Sequence, residues 1–206
     1  MTSAHQKSAP TASKSYRTID LVTIATLGVA FGVIYWGWGK VYEAPSETLG
    51  LIYPPLKGLT ASPWLIAGVL GGLILRKPGA AFATEFVAAA VSTLVLGGTQ
   101  WGWTVLASGL VQGLGAELAF LLFAYRRWTL GTACLSGALA GAFEAVYEWF
   151  SYYPDWAFDH KVAYLGFFTL SGIVVAGIGS WLLVRALGRA GVLDAFPAGR
   201  DLAGED

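Results

Sequence analysis

Cationic side chains are missing where this sequence most needs them: away from the ends of its apolar runs there is no lysine or arginine, although four glutamates lie inside those runs. Cysteine is almost absent too. The single Cys134 excludes an intrachain disulfide and a cysteine metal cage, and two histidines, His5 and His160, are too few for a histidine-rich metal set. There is no G-x-x-x-x-G-K-[ST] phosphate loop and no G-x-S-x-G elbow. Gly113-Leu114-Gly115 is a glycine pair inside an apolar run, not a dinucleotide fingerprint. The chain therefore cannot drive transport with ATP by itself, and neither a cofactor nor a metal site is expected. A formal net charge of zero argues against a nucleic-acid partner.

What is present is apolar. Hydrophobic residues make up 55% and charged residues 13% of the 206, with a mean hydropathy of +0.58, which places the chain in a lipid bilayer rather than in water. Six runs are long enough to cross as helices: 19–38, 58–75, 79–97, 102–125, 129–152 and 163–187. None alternates apolar and polar residues, which disfavours a closed barrel. The expected fold is thus an all-α membrane protein of six transmembrane helices spanning residues 16–193. Residues 1–15, with no apolar core, read as a disordered tail, and residues 194–206 as a C-terminal tail.

Orientation follows from the basic residues. Six spans put both termini on one side, and that side carries 10 of the 13 Lys and Arg, with Lys40, Lys57 and Lys161 opposite. The positive-inside rule makes the termini, Arg76-Lys77 and Arg126-Arg127 cytoplasmic, in what would be a bacterial cytoplasmic membrane. Trp36, Trp38, Trp101, Trp103, Trp149 and Trp156 crowd the outward ends, partly as an interfacial belt and partly as rings able to stack on a planar ligand. The outer connection 39–57, with Tyr53 and Pro54-Pro55, is a lid candidate by its length.

The polar groups within the spans are the candidate site. Each buried carboxylate costs roughly 3 kcal/mol at mid-bilayer depth, so Glu85, Glu117, Glu144 and Glu148 demand an offset. Glu144 and Glu148, four apart with Tyr147 between them, form one face near an outward end. Two close like charges are neutralised by a proton or by a cation; a ligand carrying positive charge, or an amino-substituted aromatic ring able to donate to carboxylates, would remove the penalty. Gln112 lies near the midplane, while Glu85 and Glu117 lie deeper, where they could face each other.

Two segments then carry a resemblance. Arg76-Lys77-Pro78-Gly79-Ala80-Ala81 with Glu85, and Val111-Gln112-Gly113-Leu114-Gly115-Ala116-Glu117, resemble the signature segments of the YkoE-type substrate-binding (S) components of energy-coupling factor (ECF) transporters. The resemblance implies capture of thiamin or its precursor hydroxymethylpyrimidine from outside. It also implies separate partners, a transmembrane coupling subunit and two cytoplasmic ATPase subunits. Glu85, Gln112 and Glu117 inherit importance from the matching segments; Glu144, Tyr147 and Glu148 rest on spacing and depth. An aminopyrimidine would present a planar ring to Trp36, Trp101, Trp103 or Tyr53 and an exocyclic amine to a carboxylate and Gln112. S components commonly meet the coupling subunit through an Ala-xxx-Ala pattern in the first helix; the nearest forms here are Thr26-xxx-Ala30 and Gly28-xxx-Gly32. Two other classes stay open: an integral-membrane enzyme using buried carboxylates, and a stand-alone proton-coupled transporter, for which no inverted repeat or broken-helix pair is evident.

Overall fold

The computed structural model describes residues 15–94 and 98–203, and every regular element among them is helical. Helix α1 spans Thr18–Val41, α2 Glu43–Ile52, α3 Ile66–Leu75, α4 Ala80–Leu94, α5 Thr104–Leu122, α6 Leu130–Ser151, α7 Phe158–Ser171, α8 Gly179–Arg189 and α9 Pro197–Ala203. Two 3-10 segments, Pro54–Thr60 and Ser62–Leu65, lead into α3, and a π-helical segment, Gly172–Ile178, joins α7 to α8.

Four helical stretches are long and apolar enough to cross a membrane: α1, α5, α6 and the continuous 158–189 stretch. A fifth crossing forms if Pro54–Thr60 and Ser62–Leu75 act together, with a 45° bend between them. The sixth expected run is helical over Ala80–Leu94, which at 15 residues falls short of the ~20 needed; residues 95–97 lie outside the described residues. The bend corrects the sequence-based expectation of no broken helix. Its cause is local: Pro54, Pro55 and Pro63 each remove a backbone donor, which favours short 3-10 turns over a regular α-helix.

The broken crossing is also the centre of the bundle. Every residue from Ala67 to Leu75 is buried, so α3 is apolar on all sides and is walled by α1, α4, α5, α6 and α8. Close approach depends on small residues. A Cβ on Gly137 would overlap the carbonyl of Gly172, so α6 meets the π-helical segment backbone to backbone.

Three other expectations change. The outer connection 39–57 is helical, because α2 begins one residue after Tyr42. Among the described residues the C-terminal segment packs on the bundle: Leu193, Phe196 and Ala198 are buried, and Arg76 pairs with Asp201 of α9. Of the N-terminal tail only Ser15 is described. Finally, Gly28 and Gly32 do not face outward. They are buried against Val87 and Val91 of α4, which any Cβ at either glycine would strike. Thr26 and Ala30 are the exposed members of the two small-residue pairs.

Candidate functional site

Three helices turn one polar face each toward a common cavity of about 180 Å³. Helical periodicity selects the residues: Glu85, Ala89 and Ser92 from α4, Ser108 and Gln112 from α5, and Glu144 and Glu148 from α6. Tyr35 enters from α1, and Trp64 from the second 3-10 segment. Rings close one end. Trp64 and Trp101 meet edge to face at 5.2 Å, and Tyr42 packs 4.8 Å from Trp64 and 5.8 Å from Trp101.

Glu85 has a divided role. Its Oε2 accepts the Gly68 N–H at 2.7 Å and the Tyr35 hydroxyl at 3.1 Å, while the same hydroxyl accepts the Ala67 N–H at 2.8 Å. Ala67 and Gly68 belong to the first turn of α3, so Tyr35 and Glu85 together satisfy donors that a helix start leaves unpaired. The other oxygen, Oε1, is buried and has no partner.

Glu144 repeats the pattern. Ser108 donates to its Oε1 at 2.6 Å, and Oε2 is buried without a partner. Glu148 Oε2 accepts the Tyr164 hydroxyl. Tyr164 is itself wedged among Tyr153, Trp156 and Phe168. Among the described residues no lysine or arginine lines the cavity. Three carboxylates beside aromatic faces, two of them with an unpaired oxygen, suit a ligand that brings hydrogen-bond donors and positive charge.

Glu117 is elsewhere. It accepts the N–H groups of Gly79 at 2.6 Å, Ala81 at 3.0 Å and Phe82 at 3.2 Å, together with the Tyr125 hydroxyl at 2.6 Å. It thus caps α4 at the opposite end of the bundle from the cavity rings, and it does not face Glu85. Tyr16, whose hydroxyl donates to the Pro78 carbonyl at 2.8 Å, sits in the same cluster. Burial, then the Glu117 and Asp20 carboxylates, push its phenol up to about 12, so it remains a donor.

The structure therefore brings together Glu85, Gln112, Glu144, Glu148 and Trp101 of the residues expected at the site. It leaves out five others. Tyr147 donates to the Thr104 carbonyl at 3.3 Å, Trp103 is 71% exposed, Trp36 lies under the Lys40 ammonium at 5.1 Å, and Tyr53 packs on His160 and Phe167. Glu117 is the fifth. Sequence reasoning missed Tyr35, Tyr42, Trp64 and Ser108. Ser108 alone carried a usable signal, lying one helical turn before Gln112.

Comparison with known proteins bears on the family and the fold. A family model described as "ABC-type cobalt transport system, permease component" matches residues 19–143. The putative HMP/thiamine permease protein YkoE of Bacillus subtilis (strain 168) is 29% identical over 191 residues, which cover 92% of this chain and 93% of the relative. A crystal structure of an S-component of an ECF transporter superposes with a TM-score of 0.84 at 27% identity, covering 93% of this chain and 95% of that one.

Proposed function

The chain belongs to the family of permease components of ABC-type cobalt transport systems, and from that premise we propose that it captures thiamin or hydroxymethylpyrimidine for import. It is a multi-pass membrane transport protein with the S-component fold, not an enzyme. One observation carries the choice of ligand: Glu85, Glu144 and Glu148 converge with Trp64 and Trp101 on one cavity that no Lys or Arg among the described residues lines. An aminopyrimidine would donate its exocyclic amine to an unpaired carboxylate oxygen and lay its ring against Trp64 or Trp101. The thiazolium of thiamin would add a positive charge that a second carboxylate or an aromatic face holds. The name of the relative YkoE, a putative HMP/thiamine permease, supports the same reading.

The family description names cobalt, yet among the described residues no three His, Cys, Asp or Glu side chains gather closely enough to hold a metal ion. An organic cation suits these residues better. Uptake against a gradient is assigned to partners: a transmembrane coupling subunit and two ATPase subunits in a bacterial cytoplasmic membrane, with the termini of this chain on the cytoplasmic side. Thr26 and Ala30, exposed on α1, are the surface offered to the coupling subunit.

The test is direct binding. Purified protein without any ATPase should bind thiamin or hydroxymethylpyrimidine saturably and change its tryptophan fluorescence as Trp64 and Trp101 are covered. Absence of binding to both compounds, in protein that melts cooperatively, would overturn the ligand. Binding of cobalt in their place would restore the metal as cargo.

A further inference from the structure

A second recess lies at the other end of the bundle. It measures about 410 Å³ and is enclosed by Arg17 ahead of α1, the Arg76-Lys77-Pro78 turn, Tyr125 and Trp128 after α5, and Pro197, Arg200 and Asp201 of α9. Four cations line it: Arg17, Arg76, Lys77 and Arg200. Three acids approach from the neighbouring elements. Asp20 pairs with Arg17 and Lys77, Asp201 pairs with Arg76, and Glu117 is taken up by the backbone of α4 and by Tyr125. Four cations less the three acids leave a formal excess of one positive charge at the recess.

Hydrogen-bonding capacity is left over as well. Arg76 holds its Nε buried with no partner, although a guanidinium offers five donors. Arg200 donates Nη1 to a backbone carbonyl, that of Ala195, at 3.2 Å. Lys77 spends its ammonium on Asp20 and on the Ser15 carbonyl. The walls are partly aromatic. Arg76 sits at φ +55°, and its guanidinium lies 5.7 Å from the ring of Trp128, which stacks on Phe120 at 5.1 Å. Planar guanidinium groups present a donor fork that matches phosphate oxygens, and basic pockets at a membrane face hold lipid head groups in this way.

We propose that this recess is a binding site for a phosphate-bearing anion, distinct from the cavity between α4, α5 and α6. Two sources present that chemistry: the head group of an anionic phospholipid in the surrounding leaflet, and a soluble phosphate compound. The inference does not rest on the identity of the imported ligand.

The experiment uses the full chain in mixed micelles. Phosphatidylglycerol or phosphatidylcholine is titrated and bound lipid counted by native mass spectrometry; in a parallel arm inorganic pyrophosphate is titrated in phosphatidylcholine alone. Saturable retention of one phosphatidylglycerol, without retention of phosphatidylcholine, identifies a lipid site. Saturable pyrophosphate binding identifies a soluble one. In either arm Arg200→Gln should weaken binding about fivefold, and Arg200→Lys should retain most of it. Arg200 is exposed and does not make the Arg76–Asp201 pair, so its substitution spares the contact of α3 with α9. Equal retention of both lipids together with no pyrophosphate binding, or anion binding that Arg200→Gln leaves unchanged, overturns the proposal.

Discussion

Replacing Glu85 by glutamine changes one atom, and the structure predicts which property that atom controls. The amide can keep its oxygen where Oε2 now stands, accepting the Gly68 N–H and the Tyr35 hydroxyl. Its NH2 then occupies the place of Oε1, the oxygen that has no partner in the protein. Folding should therefore change little, because the first turn of α3 keeps its cap. Under the proposed contact ligand binding should suffer, since a donor would stand where the amine of the ligand would find an acceptor. Loss of a charge-assisted hydrogen bond is worth about 1.5 to 3 kcal/mol, or roughly 10- to 150-fold in affinity.

Glu85→Ala supplies the contrast. It strips partners from the Gly68 N–H and the Tyr35 hydroxyl, both buried, and should lower stability by about 1 to 3 kcal/mol in addition to weakening binding. The assays are isothermal titration with thiamin and with hydroxymethylpyrimidine, and thermal unfolding in the same detergent. A Glu85→Gln protein that melts early yet binds normally would refute the division of labour between the two oxygens. Unchanged behaviour in both assays would remove Glu85 from site and scaffold alike.

Other perturbations separate the remaining roles. Glu144→Gln should weaken binding by a similar 10- to 150-fold with little change in melting, as read by the same titration. Glu117→Ala should destabilise by about 1 to 3 kcal/mol, by unpairing the N–H groups of Gly79, Ala81 and Phe82, and leave ligand affinity intact in protein that stays folded. Gly32→Leu should disrupt the seat of α1 on α4 and abolish folded protein, whereas Ala30→Trp should fold, bind, and fail in uptake once the partner subunits are present. Cysteines at Lys57 and Lys161, in a Cys134→Ala background, should react with an impermeant reagent outside intact cells; labelling only after permeabilisation would invert the orientation.

The helical bundle was legible because apolar length and basic turns are local properties of the chain. The cavity was legible in part, through Glu144 and Glu148 one turn apart and through Gln112 among apolar neighbours. What could not be read was the break at residues 54–65. A run that counts as a single span in hydropathy becomes two 3-10 turns and a short helix, and this moves Trp64 to the cavity and exposes the start of α3 to Glu85. Nor could exposure be read from small residues. Gly28 and Ala30 are near neighbours on α1, yet the glycine meets Val87 while the alanine faces outward. Which face of a helix finds a partner is a tertiary fact, and a small-residue spacing serves an internal contact as readily as an external one.

The same reasoning separates Glu85 from Glu117, which depth alone leaves equivalent. Both stand near the first turn of another helix, where unpaired N–H groups and the helix dipole favour a carboxylate. At Glu117 the match is complete: Oε1 accepts from Gly79 and Tyr125, and Oε2 from Ala81 and Phe82, so the cost of placing a carboxylate there is offset by the fold itself. At Glu85 and Glu144 the fold satisfies one oxygen and leaves the other buried and unpaired. An unpaired buried acceptor costs about 1 to 3 kcal/mol. A ligand that donates to it recovers that cost on binding, in addition to whatever its rings gain from Trp64 and Trp101. The fully buried carboxylate oxygens without a partner among the described residues belong to two glutamates that line one cavity. That distribution follows if Glu117 holds the bundle together and the cavity glutamates wait for a cationic or amine-bearing guest.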